Sequence, residues 1–355
     1  MSVRRVYGVG PYTAEWPKRM TVDKIYRYLI TVPSGLEEVA LDELRETVPQ
    51  VQGINVEPGG RYGQIFFTFR RSPMQLLGLH SALQLSGVVC EMQRVTVGRP
   101  GLDAISSRVA RIDFAAVASL ARSQPVEIDT SAFTLSATLQ GRYRFSNSEV
   151  VRAVRAVLCE QHGLREGRGN RLLRLHLQLT GHRALLLLRL GEGISGGRAV
   201  AFCLARLLAL KSDARVLWTR RDPTELFALR ELFQPHMLLG LLPGQMRKIK
   251  VQNGLLALRA KLPLRAGIID YVFAFAGADP IGELAELARI LRFGGVALIQ
   301  VEHLERFMGI LEEMDYPFVV LAVLALQEQG RKYRLLIIER LEEVDPNLLQ
   351  LGWES

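Results

Sequence analysis

Several features that define common protein classes are missing from this chain of 355 residues. Its longest apolar runs, such as Phe318 to Leu326, are far shorter than the roughly 20 residues that cross a bilayer, so we expect no membrane contact. No apolar stretch follows Arg4 and Arg5, so no signal peptide is expected. The three cysteines are widely spaced and the six histidines do not cluster, which gives no support to a zinc or redox motif. These absences predict a cytoplasmic protein without a bound metal.

Acidic residues are too few to balance the basic ones, since 36 aspartates and glutamates face 45 lysines and arginines, for a net charge of +9. The excess is concentrated from Arg142 to Arg174, where eight arginines occur with three glutamates. Arginine grips phosphate through a planar fork and stacks on bases. The pattern therefore predicts a nucleic-acid partner. A solvated helical face with charges at strand edges is the alternative explanation.

The N-terminal half begins with a strand at Tyr26–Val32. Ser34 and Glu37 have the spacing of a capping box, which predicts a helix after that strand. Two more strand signals, a second amphipathic segment at Pro73–Leu85 and a last strand complete the order β-α-β-β-α-β, which is that of a ferredoxin-like unit.

A second compact unit follows. The pattern predicts a helix over 101–123, then a strand and a basic loop from Gly141 to Phe145. Ser146 and Glu149 form another capping box, which predicts a helix through Leu158. Two further strands are joined by a tight turn.

From Gly193 onward, short apolar strands alternate with helices, which predicts a parallel sheet with crossover helices. Phe318–Gln327 and Tyr333–Arg340 are predicted to form a closing antiparallel pair at its edge. We therefore expect an α/β chain with the following divisions: a flexible arm (1–24), a ferredoxin-like domain (25–98), a second α/β domain (99–192), a parallel-sheet domain (193–341) and a tail (342–355). The tail is leucine-rich and could dock on the domain surface or on a partner.

Three segments resemble THUMP-domain RNA methyltransferases of the guanine-N2 type. They are Ile30–Leu44 with its Gly-Leu-Glu signature, Phe133–Ser146 with its strand and basic turn, and the paired strands of Leu175–Leu190. The resemblance implies that residues 99–192 are a THUMP-like module. It also implies that this half of the chain holds structured RNA, with tRNA as the expected partner.

The residues themselves point the same way, because arginines alternate with aromatic residues in the basic loop and recur on one face of the following helix. The residues expected to bind RNA are Arg142, Tyr143, Arg144, Arg152 and Arg155. Tyr143 and Phe145 could instead turn into the core.

The second half resembles a class I methyltransferase, which implies a Rossmann-like sheet with an antiparallel last strand. Leu207–Trp218 is similar to the stretch that leads into the first strand, and Asp270–Phe275 is similar to the fourth strand. Ala288–Ile299 matches the helix, Gly-Gly turn and fifth strand, and the terminal pair matches the last two strands.

The positions that carry the family's chemistry depart from its pattern. The segment after the first strand has no glycine, and Trp218, Arg220 and Arg221 stand where S-adenosylmethionine would pack against bare backbone. Asp222 followed by Pro223 is typical of an ordinary helix start. The segment 234–245 shows no clear second strand, and one strand-helix unit is expected to be missing. No cofactor is therefore expected.

The motif that clamps the target amine is also lost. The family's Asn-Pro-Pro-Tyr is replaced by residues that no longer offer an amide or an aromatic lid: Phe275, Ala276, Gly277, Ala278 and Asp279. Asp279 could accept a hydrogen bond from a base, or cap the helix that begins at Pro280.

Three functions remain as hypotheses. The first is an RNA-binding protein with an inactive methyltransferase-like domain, acting in RNA modification or as a partner of an active modifying enzyme. The second is an active S-adenosylmethionine-dependent tRNA or rRNA (guanine-N2) methyltransferase, with a replacement pocket around Thr219, Gln252, Asn253 and Ala276–Asp279. Asp222 is a further candidate for cofactor binding. The third, a small-molecule Rossmann enzyme, is disfavoured because the chain has no Gly-x-Gly-x-x-Gly motif.

Overall fold

A computed structural model describes residues 26–58, 60–191, 193–219, 222–240, 262, 264–275, 280–314, 316–328 and 331–342. Within these ranges the chain forms two sheets, each accompanied by helices. The predicted α/β class is therefore confirmed.

The N-terminal half carries the first sheet. Its strands are β1 (Tyr26–Pro33), β2 (Gln52–Glu57), β3 (Tyr62–Phe69), β4 (Gln84–Met92), β5 (Asp129–Gln140), β6 (Arg165–Glu166), β7 (Leu172–Thr180) and β8 (Arg183–Leu190). Its helices are α1 (Glu37–Thr47), α2 (Arg99–Val109), α3 (Phe114–Arg122) and α4 (Asn147–Glu160). Apolar residues from all four helices join one core with one face of the sheet.

The first four strands have the order β2-β3-β1-β4 and pair antiparallel throughout, as in a ferredoxin-like unit. The second helix expected at Pro73–Leu85 is wrong, since only a 3₁₀ helix at Pro73–Gly78 forms there. Buried Glu43 explains why the helix ends at Gly78. Its carboxylate accepts hydrogen bonds from the amides of His80 (2.8 Å) and Ser81 (2.9 Å) and so holds the following residues in a loop.

The ferredoxin-like unit and the unit that follows share this sheet. β4 pairs with β8 from Leu85 opposite Leu190 to Met92 opposite Ala184, so the order continues as β4-β8-β7-β5-β6. The single helix predicted over 101–123 is in fact two helices. Asp113 separates them, because its carboxylate caps α3 by accepting from the amides of Ala115 and Ala116.

The C-terminal half carries the second sheet. Its strands are β9 (Arg215–Trp218), β10 (Met237–Gly240), β11 (Ile269–Phe275), β12 (Leu291–Val301), β13 (Phe318–Glu328) and β14 (Arg331–Arg340). Its helices are α5 (Gly196–Leu207), α6 (Pro223–Phe233), α7 (Pro280–Ile290) and α8 (Leu304–Glu313). None of the helices in the described ranges is long and apolar enough to span a membrane.

The order of the second sheet is β10-β9-β11-β12-β14-β13, with the first four strands parallel and β14 antiparallel to both neighbours. Residues of α5 and α6 join the core on one face, and residues of α7 and α8 join the core on the other. This confirms the Rossmann-like sheet with its antiparallel last strand. The expectation that 234–245 contains no second strand is wrong, because β10 lies within this segment. With only four residues, β10 is too short to show a periodicity in the sequence. Residues 248–251, whose sequence also predicts a short strand, lie outside the described residues.

The two halves meet where β1 leads into α1. The amide of Gln327 on β13 donates to the Ser34 carbonyl at 3.1 Å, and Leu36 is buried in the core of the second sheet. The capping box predicted from Ser34 and Glu37 is wrong. Leu36 occupies the N-cap position without a side-chain bond, and Glu37 instead accepts from the Gly35 amide at 2.8 Å. We call this contact of residues 34–36 with β13 the joint.

Candidate functional site

The basic loop, residues 141–145, leaves the first sheet at the end of β5. β5 and β7 are parallel, so this loop lies beside the turn that links β7 to β8. The Tyr143 hydroxyl donates to the Gly181 carbonyl of that turn at 2.7 Å, and the Arg144 amide donates to the Val97 carbonyl at 2.8 Å. Two hydrogen bonds to neighbouring segments therefore hold the middle of the loop.

The arginines of the basic loop are exposed to solvent. Neither Arg142 nor Arg144 has a carboxylate within ion-pair distance in the described part of the chain. Arg152, one turn into α4, is likewise exposed. Arg155 differs, because it pairs with Glu166 at 2.9 Å. Three of the four predicted arginines are thus free to meet an anion, and the fourth already has a partner.

The start of α4 is fixed by the predicted capping box. The Ser146 hydroxyl accepts from the Glu149 amide at 3.3 Å, and the Glu149 carboxylate accepts from the Ser146 amide at 2.7 Å. The Ser146 amide, together with the Ser146 hydroxyl that donates to the same carboxylate at 2.8 Å, holds the pKa of Glu149 below its usual value, and Arg152 and Arg99 lower it further. Glu149, the acidic residue that follows the loop most closely in sequence, therefore stays charged and remains bonded within the cap of α4.

Arg99 is a residue that sequence reasoning missed. It begins α2, and it reaches the same area because the bond from Arg144 to Val97 joins the two segments. Its charge acts on Glu149 of α4. No sequence signal links Arg99 to the basic loop, since more than 40 residues separate them along the chain.

The two aromatic residues of the loop have structural positions. Phe145 is 7% exposed and belongs to the core, which decides the alternative left open by the sequence. Tyr143 is half-buried, its ring lies 5.3 Å from that of Phe145, and burial raises its pKa. Because its hydroxyl is bonded to Gly181, Tyr143 positions the loop.

The second candidate region is the edge where β9, β10, β11 and β12 all end. Thr219 follows β9, and its amide and hydroxyl both donate to the Phe273 carbonyl, at 2.8 and 3.3 Å. Trp218 was expected to obstruct a cofactor here, and that expectation is wrong. Its side chain is fully buried and packs on the Phe273 ring with centroids 4.5 Å apart, since strand alternation turns it into the core.

Asp222 lies where α6 begins. Its carboxylate accepts from the Thr224 amide at 2.9 Å and from the Thr224 hydroxyl at 2.7 Å, with Pro223 in the first helical turn. The same carboxylate lies close to Gly197 of α5, where an added Cβ would come within 2.5 Å of Oδ2. Asp222 is thus the predicted helix cap. Arg220 and Arg221 lie outside the described residues.

Two buried polar residues near this edge were also missed. Glu225, in the first turn of α6, is 1% exposed, and Gln300, near the end of β12, is 3% exposed. A glutamate at the start of a helix looks ordinary in sequence, so only burial distinguishes it. Phe275 is the last residue of β11, opposite Gln300. The remaining predicted positions lie outside the described residues: Gln252, Asn253, Ala276, Gly277, Ala278 and Asp279.

The described ranges contain no group of three or more histidine, cysteine, aspartate or glutamate side chains that could hold a metal ion. The free cysteines differ in exposure: Cys159 is exposed, Cys90 is half-buried and Cys203 is buried. Burial raises the pKa of the Cys203 thiol well above its usual value.

No protein-family model and no curated protein sequence matches this chain. Solved structures do. TrmN from Thermus thermophilus aligns with a TM-score of 0.66 and 18% identity over 89% of this chain and 100% of its own. SMU.472, solved in complex with SAH, gives 0.61 and 11% over 91% and 100%. A predicted N6-adenine-specific DNA methylase from Listeria monocytogenes gives 0.60 and 13% over 88% and 96%. The chain therefore has the fold of these proteins, an N-terminal α/β half joined to a methyltransferase-type Rossmann-like sheet.

Proposed function

We propose that this protein binds structured RNA, specifically tRNA, through the basic loop and the first turns of α4. The observation that carries the proposal is that Arg142 and Arg144 are exposed and have no carboxylate partner among the described residues, on a loop held by two hydrogen bonds. An unpaired guanidinium is free to bind phosphate bidentately, and a held loop loses little conformational entropy on binding.

The surrounding charges support the same partner. Arg99 and Arg152 add positive charge near the loop, since both act on Glu149 at the start of α4, and the Glu149 carboxylate is engaged in the helix cap. A cluster of arginines attracts the phosphate backbone over a distance of about 10 Å at ordinary salt. The resemblance of residues 99–192 to a THUMP module is part of this proposal.

We further propose that the second sheet serves as a scaffold and does not bind S-adenosylmethionine. The polar groups that follow β9 are used within the chain, because Thr219 donates to Phe273 and Asp222 caps α6. The segment Val216–Leu226 also contains no glycine through which a cofactor could approach the backbone. Such a protein would act in RNA modification or beside an active modifying enzyme.

The test is charge reversal at the loop. The double variant Arg142→Glu/Arg144→Glu is compared with Arg45→Glu/Arg230→Glu, whose exposed arginines lie on α1 and α6. Binding of bulk tRNA is measured by fluorescence anisotropy at several salt concentrations. The loop variant should bind tRNA at least about tenfold more weakly. Its slope of log affinity against log salt concentration should also be shallower by about 2. Equal losses in both variants would overturn the proposal.

The alternative is an active S-adenosylmethionine-dependent tRNA or rRNA (guanine-N2) methyltransferase, which the shared fold supports. Isothermal titration with S-adenosylmethionine separates the two functions, since the scaffold proposal requires no measurable heat of binding. Incorporation of a labelled methyl group from this cofactor into bulk tRNA would establish the alternative.

A further inference from the structure

The face of the first sheet that points away from its four helices carries a row of donor side chains. On β7 the leucines at 173, 175, 177 and 179 enter the helix-side core. Strand alternation therefore turns Arg174 and His176 to the other face. On β8 the same argument places Arg189 on that face, because Leu188 and Leu190 belong to the helix-side core.

Arg174 and Arg189 are neighbours across two strands. Leu175 lies opposite Leu188 in the antiparallel pair, so the next residues along, Arg174 and Arg189, also lie opposite each other. Thr134 of β5 is paired with Arg174, and Ser86 of β4 is paired with Arg189. We call these four residues the arginine row.

Among the described residues, no carboxylate forms an ion pair with either arginine. Arg174 donates one hydrogen bond to the Gly191 carbonyl, and neither arginine has an acidic partner in the described ranges. Like charges directly opposite each other destabilise a sheet. Burial lowers the pKa of Arg189, and Arg174 lowers it further, so the pair is held at an electrostatic cost.

We propose that the arginine row is a second phosphate-binding position, which holds one backbone phosphate of the RNA whose binding is proposed above. The two half-buried guanidinium groups and the hydroxyl of half-buried Thr134 supply donors that a phosphate requires, whereas Ser86 is buried. A phosphate between the two arginines would offset their mutual repulsion, because each guanidinium would donate charge-assisted hydrogen bonds to it. The inference rests on the proposed function, but it concerns a different face of the sheet.

The position is well separated from the basic loop. Gln140, the last residue before the loop, lies six residues beyond Thr134 on β5, which is about 20 Å of extended strand. His176 lies next to the row, and the Ser136 hydroxyl is 2.8 Å from its Nδ1. An RNA held at both positions would therefore run along β5 and β7.

The test uses the double variant Arg174→Gln/Arg189→Gln, with Arg45→Gln/Arg230→Gln as a control of equal charge change. Binding of bulk tRNA is measured against salt concentration, and thermal unfolding is measured with and without inorganic phosphate. The row variant should fold, since removing the pair relieves repulsion. Its tRNA affinity should fall about tenfold with a salt slope shallower by about 1, against about twofold for the control.

Inorganic phosphate should raise the melting temperature of the native chain more than that of the row variant. If the native chain binds tRNA in a manner that depends on Arg142 and Arg144, but the row variant binds as the control does, the second position is refuted while the proposed function stands. If phosphate stabilises the native chain and tRNA affinity is unchanged in the row variant, the RNA assignment of the row is likewise overturned. If the native chain fails to bind tRNA, the proposed function itself falls.

Discussion

Replacing Gly35 with alanine should loosen the joint between the two halves of the chain. Gly35 has a φ of +92°, and an added Cβ would overlap the Ala325 carbonyl oxygen and lie 2.9 Å from its carbonyl carbon. Both atoms belong to the backbone of β13, so no side-chain rotation can relieve the contact. Either residues 34–36 or β13 must move.

The expected cost has two parts. Positive φ costs a non-glycine residue about 1–2 kcal/mol. Moving the segment also weakens the bond from the Gln327 amide to the Ser34 carbonyl, which contributes about 1 kcal/mol. Some burial of Leu36 is lost as well, so the Gly35→Ala variant should lose about 2–4 kcal/mol of unfolding free energy.

Gly163→Ala is the matched control. Gly163 also has a positive φ, +64°, but an added Cβ there meets no atom within 4 Å. Urea unfolding, followed by circular dichroism, gives the free energies of both variants. The Gly35 variant should be less stable than the control by at least about 1 kcal/mol, which is the share assigned to the joint. Equal losses would show that the contact with β13 does not stabilise the chain.

Three other changes have predictable results. Ser146→Ala removes the cap of α4 and should cost about 1 kcal/mol in urea unfolding, whereas no loss would contradict the capping box. Burial, assisted by Arg189, lowers the pKa of His176 from 6.5 to about 4, so the folded chain favours neutral His176. Stability should therefore fall as pH drops from about 6.5 to about 4, by up to about 3 kcal/mol, and a His176→Asn variant should lack this slope. Trp218→Phe should cost less than about 1 kcal/mol in the same assay, because it removes a buried indole N–H that has no partner among the described residues.

Local signals predicted local structure well. The capping box at Ser146 needs only residues within one helical turn, and both of its hydrogen bonds form. The same pattern at Ser34 failed because a distant strand, β13, takes up the Ser34 carbonyl. A pattern of four residues carries no information about a partner almost 300 positions away in the chain.

The candidate sites show the same limit. The positions of Arg142 and Arg144 in a turn followed from alternating residue types, and the turn is there. The side of the sheet that Trp218 enters could not be predicted from the sequence, because both faces of β9 are covered and all of Val216–Trp218 is apolar. The pairing of Arg174 with Arg189 depends on strand register, which hydrogen bonds between β7 and β8 determine.

Because β4 pairs with β8, the first sheet is continuous and fixes the spacing between its strands. Four strand-to-strand steps separate β5, which bears the basic loop, from β1, which leads into the joint. At about 4.8 Å a step, this places the two strands about 19 Å apart. A flexible linker would let that spacing vary, whereas a hydrogen-bonded sheet keeps it constant. A ligand bound at the basic loop would therefore lie at a fixed distance from the joint, and that distance is set by the number of strands between β5 and β1.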